Sequence, residues 1–242
     1  MQYLGGKSRL GGRIVAAMIA DSKLDPRRTL AVDACCGGLS VSVAMAKAGF
    51  RRVVALDARP ALVTMWRAAV DGWEPPSSLS EAEYRRLRER DDPDDPRTAF
   101  AMFGCSFAGK PWGGYARSKR EVRNFAAVAR RSILRKVAAL RATRFEVHLG
   151  RYEDFKTRRG GLMYADPPYA GTTGYRLKFT PIWPTARRWA RDGAAAVYVS
   201  EYRGPSDGGA TEVWNAAACS AQLAKPGTLE RLFKVAPPAS RA

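Results

Sequence analysis

The sequence predicts an open α/β sheet with helices on both faces and a helical insertion. Short β-type runs alternate with stretches of helical periodicity through most of the 242 residues. Three of those runs end in an acid, at Asp33, Asp57 and Asp166, and a fourth leads into Ser200-Glu201. In an open α/β sheet the carboxyl ends of strands are where ligands bind. Between Asp71 and Arg144 the alternation stops, which marks the insertion.

Seven runs read as strands: Thr29–Asp33, Arg52–Asp57, Phe145–Leu149, Leu162–Asp166, Ala195–Ser200, Thr211–Asn215 and Leu229–Val235. Apolar residues at three- and four-residue spacing place helices at Ser8–Asp21, Leu39–Ala48, Ala61–Val70 and Pro184–Arg191. Within the insertion, Leu79–Arg90 reads as a charged surface helix, and Asp91-Asp92-Pro93-Asp94-Asp95-Pro96 as a solvated acidic turn. A loop rich in glycine and aromatics follows, from Gly104 to Tyr115. Next, Val122, Phe125, Ala126, Ala129, Ile133, Val137 and Leu140 form one apolar helical stripe. Arg117, Lys119, Arg120, Arg123, Arg130, Arg131, Arg135 and Arg141 surround it, with Glu121 the one acid among them. Such cations serve either as a solvated face over the core or as phosphate contacts. The tail from Pro237 onward reads as unstructured.

Hydrophobic residues at 46% and aromatics at 10% are globular values. The longest apolar stretch near the N-terminus, Ile14 to Ala20, falls far short of the roughly 20 residues of a membrane span and lacks the flanks of a cleaved signal. Cys35, Cys36, Cys105 and Cys219 show no metal-type pairing beyond one adjacent couple, so a reducing, cytoplasmic setting and no metal are expected. Against 23 Asp and Glu stand 41 Lys and Arg, a formal charge of +18. That excess favours a polyanionic partner, unless the chain simply uses arginine heavily. Charge alone does not choose between DNA, RNA and an acidic membrane face.

Val32-Asp33-Ala34-Cys35-Cys36-Gly37-Gly38-Leu39-Ser40 closes the first strand and opens a helix. Glycines there allow close approach of a ligand to the backbone, and the helix start adds free N–H groups. A strand-to-helix turn also carries glycine for packing, and a dinucleotide site uses a related pattern. Asp57, at the end of the next strand, suits both hydroxyls of a ribose; it suits equally a helix N-cap before Pro60. An adenosine-containing cofactor follows, of a kind these residues leave open. In Met163-Tyr164-Ala165-Asp166-Pro167-Pro168-Tyr169 two prolines fix the backbone between a carboxylate and a ring. A carboxylate and backbone carbonyls accept hydrogen bonds from an amine, and an aromatic face stacks on a base. An amino group on a planar heterocycle fits that set. The sole histidine, His148, falls on a predicted strand, and no mechanism with a histidine base is expected.

The order of these motifs resembles the Dam-like class of adenine-N6 DNA methyltransferases over most of the chain, and Gly109-Lys110-Pro111-Trp112-Gly113-Gly114-Tyr115 is similar to phage-encoded members. Leu4-Gly5-Gly6-Lys7 resembles the motif whose lysine contacts the cofactor. Asp33 to Gly37 and Gly38 resemble the motif around its methionine moiety, and Asp57 the ribose-binding acid. Tyr152-Glu153-Asp154-Phe155 resembles the element whose aspartate meets the cofactor adenine, and Asp166-Pro167-Pro168-Tyr169 the catalytic tetrad. Ser200-Glu201-Tyr202 sits where the family has a polar motif, while Cys35 stands where many relatives carry Phe and Leu39 replaces a small residue.

The resemblance implies a Rossmann-like seven-stranded methyltransferase sheet, with residues 1–70 and 145–242 as the catalytic domain and 71–144 as a helical target-recognition insertion. It implies S-adenosylmethionine as cofactor and double-stranded DNA as partner. Asp166 and the Pro167 carbonyl would take the hydrogens of an extruded adenine N6, with Tyr169 stacked on the base. Cytosine N4 presents a similar amine, RNA is a further substrate class, and a non-catalytic DNA-binding relative would keep the fold alone.

Overall fold

The computed structural model describes residues 1–118, 123–169, 180–217 and 228–236. One mixed sheet of seven strands runs through it: β1 (Leu30–Asp33), β2 (Arg52–Asp57), β3 (Arg144–Leu149), β4 (Leu162–Ala165), β5 (Ala196–Glu201), β6 (Ala210–Ala217) and β7 (Leu229–Val235). Their spatial order is β3-β2-β1-β4-β5-β7-β6. The first five are parallel, and β7 enters antiparallel between β5 and β6. The strand order reverses between β1 and β4, so the crevice there opens beside Asp33 and Asp166.

Burial explains the strand composition. Every residue of β4 and β5 is buried, as befits central strands covered on both faces, whereas edge strand β6 alternates with exposed positions. Helices α1 (Gly11–Ser22), α2 (Ser40–Lys47), α3 (Pro60–Val70) and α7 (Ile182–Arg191) flank the sheet. Helix α1 starts three residues later than its periodicity suggests, because the Lys7 carbonyl accepts from both Leu10 N and Gly11 N in a turn. Leu39 takes a left-handed conformation (φ 57°) immediately before α2.

In the insertion, α4 (Glu81–Arg90) begins with a reciprocal Ser80–Glu83 capping box, and α6 (Phe125–Leu140) with the Asn124 side chain accepting from Ala127 N. Val122, placed by sequence on the apolar stripe, lies outside the described residues, as do Lys119, Arg120, Glu121, Cys219 and the tail from Pro237. The acidic turn differs from its expected form. Asp95 is buried, caps the short helix α5 (Pro96–Ala99) and pairs with Arg97 at 2.8 Å, while Asp91 accepts from Trp112 Nε1. Beyond it, Phe100–Gly104 forms a fully buried π-helical turn with no amphipathic period to announce it. Its phenylalanines share one core with Leu62 and Trp66 of α3 and Ile133 and Val137 of α6, so this turn and α6 pack onto one of the sheet's own helices. Among the described residues no helix is long and apolar enough to cross a membrane.

Candidate active site

The carboxyl ends of β1, β2 and β4 and the N-terminal segment border an open cleft, about 910 Å³ of space counting the solvent at its mouth. Lys7, Asp33, Gly37, Asp57 and Asp166, all singled out by sequence, line it together with Tyr3, Cys35, Gly38, Arg151, Tyr152, Glu153 and Pro168.

On the β2 side, Asp57 Oδ2 accepts from Gly37 N and Oδ1 from Arg59 N, each at 2.9 Å. One carboxylate thus ties the glycine loop to the start of α3, in which Arg59 rather than Asp57 is the capping position. Each oxygen keeps acceptor capacity toward the cleft. Burial raises the Asp57 pKa, opposed by the Arg59 and Gly37 N–H groups. Gly37 has φ +43°, and a Cβ there would lie 2.5 Å from the Tyr3 ring, so both its conformation and its space require glycine.

Asp33 has a structural task as well as a place in the lining. Its Oδ2 accepts from Ser42 N at 3.0 Å and Ser42 Oγ at 2.6 Å, pinning α2 to β1. Burial pushes its pKa up to about 7; the Ser42 bonds oppose the shift and the nearby Asp166 and Asp57 charges add to it. The Cys35 and Cys36 thiols are pushed well above their usual range by burial and by Asp57, so neither is a ready nucleophile.

The β4 end carries the densest chemistry. Lys7 Nζ lies 2.8 Å from Asp166 Oδ1 and 3.3 Å from Glu230 Oε1. The Tyr169 hydroxyl is 2.9 Å from the same Asp166 oxygen and also bonds Glu230. Burial works against the charge on Lys7, but the two carboxylates outweigh it and hold its pKa above the ordinary lysine value. Among the described residues both side-chain contacts to Asp166 fall on Oδ1.

Three expectations shift. The Tyr169 ring, expected as a stacking face, is buried edge-on against Tyr202 at 4.5 Å and does not line the cleft. Its hydroxyl is drawn inward by the two acids, so here it acts on Asp166. Pro168 lines the cleft and Pro167 is buried behind it. Asp154 is exposed and outside the lining, and Phe155 packs into the core beside Trp189. The turn from Arg151 to Asp154 instead aims Glu153 at the cleft, and Glu153 Oε2 is buried without a hydrogen-bond partner among the described residues. Of the polar motif at the end of β5, Ser200 bonds the Tyr164 hydroxyl at 2.8 Å and Tyr202 packs on Tyr169. His148 pairs with Glu146 on edge strand β3, away from this cluster.

Two site residues escaped the sequence reading. Tyr3, its ring tilted against Phe103 with centroids 4.9 Å apart, covers Gly37 and Gly38; an aromatic directly before Leu4-Gly5-Gly6-Lys7 was its only signal. Glu230 could be suspected from its parity with Leu232, which places an acid on an inward-facing position of β7.

No protein-family model matches the chain, and no curated protein matches it in sequence. Among solved structures it is similar to yhhF from Escherichia coli, provisionally described as a methyltransferase, at 8% identity over 93% of this chain and 85% of that one, with a TM-score of 0.44. A dimethyladenosine transferase from Plasmodium falciparum matches at 11% identity over 93% of this chain and 61% of its own, with a TM-score of 0.41. SMU.472, provisionally described as a methyltransferase and complexed with SAH, matches at 17% identity over 96% and 54%, with a TM-score of 0.40. These likenesses concern overall shape; the chemistry rests on the site's own residues.

Proposed function

We propose that the protein transfers a methyl group from S-adenosylmethionine to the N6 amine of an adenine extruded from duplex DNA. The observation that carries this reading is the Asp166 carboxylate, fixed through one oxygen by Lys7 and Tyr169 at the end of β4, in the same cleft as Asp57 and the glycine loop. The cleft suits an adenosine cofactor: Asp57 offers oriented acceptors to ribose hydroxyls, Gly37 and Gly38 bring the backbone to the cleft wall beneath Tyr3, and Glu153 Oε2 offers a buried acceptor to an adenine amine. When bound, S-adenosylmethionine supplies an electrophilic methyl sulfonium. Asp166 accepts a hydrogen from the substrate amine, aligning the nitrogen lone pair and favouring the positive charge that develops on it. Pro167 and Pro168 stiffen the backbone that carries this acceptor. The test is transfer of labelled methyl to adenine in duplex DNA.

Asp57→Ala is expected to weaken S-adenosylmethionine binding roughly 10- to 100-fold, the effect of losing hydrogen bonds to a charged group at about 1.5–3 kcal/mol. Exposed Asp94→Ala serves as the control, and equal affinities by calorimetry would remove the ribose role.

The DNA part of the proposal draws on net charge and on α6. Arg130 is engaged by Glu74 and the Pro75 carbonyl and Arg117 by Glu81, so these cations support the fold. Arg131, Arg135 and Arg141 are exposed. Changing these three to Ala is expected to reduce the log–log salt slope of DNA binding by about 0.9 for every phosphate that is no longer neutralised. An unchanged slope would make them a solvated face only.

A further inference from the structure

Strand β7 brings a second carboxylate to the reacting group. Glu230 is buried, accepts from the Tyr169 hydroxyl and lies 3.3 Å from Lys7 Nζ. The same hydroxyl is 2.9 Å and the same ammonium 2.8 Å from Asp166 Oδ1. Among the described residues two carboxylates share one cation and one phenol, an excess of one negative charge when both acids are ionised. A hydroxyl has one hydrogen, so Tyr169 donates to one acid at a time. Both of its contacts become hydrogen bonds together only when one of the acids holds a proton. The arrangement has room for one additional proton.

Resting on the reading of amine methylation above, we infer that Glu230 is the terminal acceptor of the proton leaving the substrate amine, reached from Asp166 through the Tyr169 hydroxyl. As N6 bonds the methyl carbon, the carbon–sulfur bond of the sulfonium donor breaks and its electron pair stays on sulfur. The nitrogen is then cationic with two hydrogens. One passes to Asp166 Oδ2; the carboxyl group then turns to present that hydrogen to the Tyr169 oxygen, which takes it while Tyr169 gives its own to Glu230. The products are a thioether, a neutral methylamine, an ionised Asp166 and a neutral Glu230. The donor's positive charge and the cluster's excess negative charge have cancelled.

Burial raises the Glu230 pKa, Lys7 opposes this and Asp166 adds to it, as suits a group that must take a proton. Among the described residues Lys7, Asp166, Tyr169, Tyr164 and Tyr202 are the titratable groups that interact with it. Burial also raises all three tyrosines, which keeps them neutral. Glu230 is buried and does not line the cleft, so it acts as a positioning residue for the proton.

Glu230→Gln keeps the size and an acceptor for Tyr169 and Lys7 but takes up no proton; Tyr169→Phe keeps the ring and breaks the relay. Infrared difference spectra of the protein alone, acid minus neutral, are expected to show a protonated-carboxyl band that Glu230→Gln removes. In a single turnover on duplex DNA, methyl transfer is followed by quenching and proton release by an indicator dye. Wild-type release should lag behind transfer. Both variants should lose the lag, with Glu230→Gln slowed roughly tenfold, less than the ~10² expected of a group in direct contact. A band indifferent to Glu230→Gln, a wild type without the lag, or a lag that survives in both variants would overturn the inference. Absence of any transfer to adenine would overturn the underlying reading instead, while the infrared band still reports on Glu230.

Discussion

Asp166→Asn is expected to slow single-turnover methyl transfer on the order of 10²–10³-fold while leaving cofactor and DNA affinity near wild type. The substitution keeps the size of the side chain and an oxygen for Lys7 and Tyr169, but removes the charge. An interaction that strengthens as the amine nitrogen becomes positive stabilises the transition state more than the bound substrate, so its loss appears in the rate. Lys7 retains Glu230 as a partner at 3.3 Å, and the fold should survive. Rapid-quench transfer and calorimetric titration of S-adenosylmethionine, done on the same preparation, separate the two quantities. A variant that transfers at the normal rate would remove Asp166 from the chemistry.

Lys7→Met is expected to act on stability first. The wild-type cluster balances two buried carboxylates on one ammonium, and taking out the cation leaves Asp166 and Glu230 facing each other without one. Breaking a buried pair in this way costs about 3–5 kcal/mol, much of the roughly 5–15 kcal/mol by which a domain is stable. The pH dependence has a definite sign. The Lys7 pKa is raised on folding, so its contribution is fully present below the ordinary lysine pKa and covers the neutral range. Glu230 is already raised in the wild type, chiefly by burial, and without Lys7 the charge that opposes this shift is gone. Such groups bind protons better in the folded state, and the stability they allow at acid pH is lost as pH rises through their folded pKa values. The urea midpoint of Lys7→Met should therefore fall furthest below wild type at neutral pH and approach it in acid. A deficit constant across pH would mean that Lys7 supports packing and not charge balance.

Much of this was legible in the residues because the sheet's strands announce themselves. Arg52–Asp57 and Leu229–Val235 run as their β-type composition indicates, and the acids at Asp33, Asp57 and Asp166 fall at one edge because parallel strands share a direction. The insertion was harder to read. Phe100–Gly104 is buried on every side, so it has no polar face to give a period, and Asp95 looks solvated in sequence although it caps a helix inside the fold. The inner layer of the site was hidden for a different reason. Glu230 stands far along the chain from Asp166, and Tyr3 is separated from Gly37 by a whole helix and strand; only the crossing of β7 and the N-terminal segment brings them in. Tyr169 shows the same limit: its position after two prolines is plain, while the direction of its ring depends on an acid sixty-one residues on.

The most direct measurement is nucleoside mass spectrometry of duplex DNA incubated with the purified protein and S-adenosylmethionine carrying a labelled methyl group, with Asp166→Asn and an equivalent RNA in parallel. The expected result is label in N6-methyladenine from the DNA, lost in Asp166→Asn and absent from the RNA. Label in N4-methylcytosine, label in the RNA alone, or no transfer by a protein that binds the cofactor would contradict it.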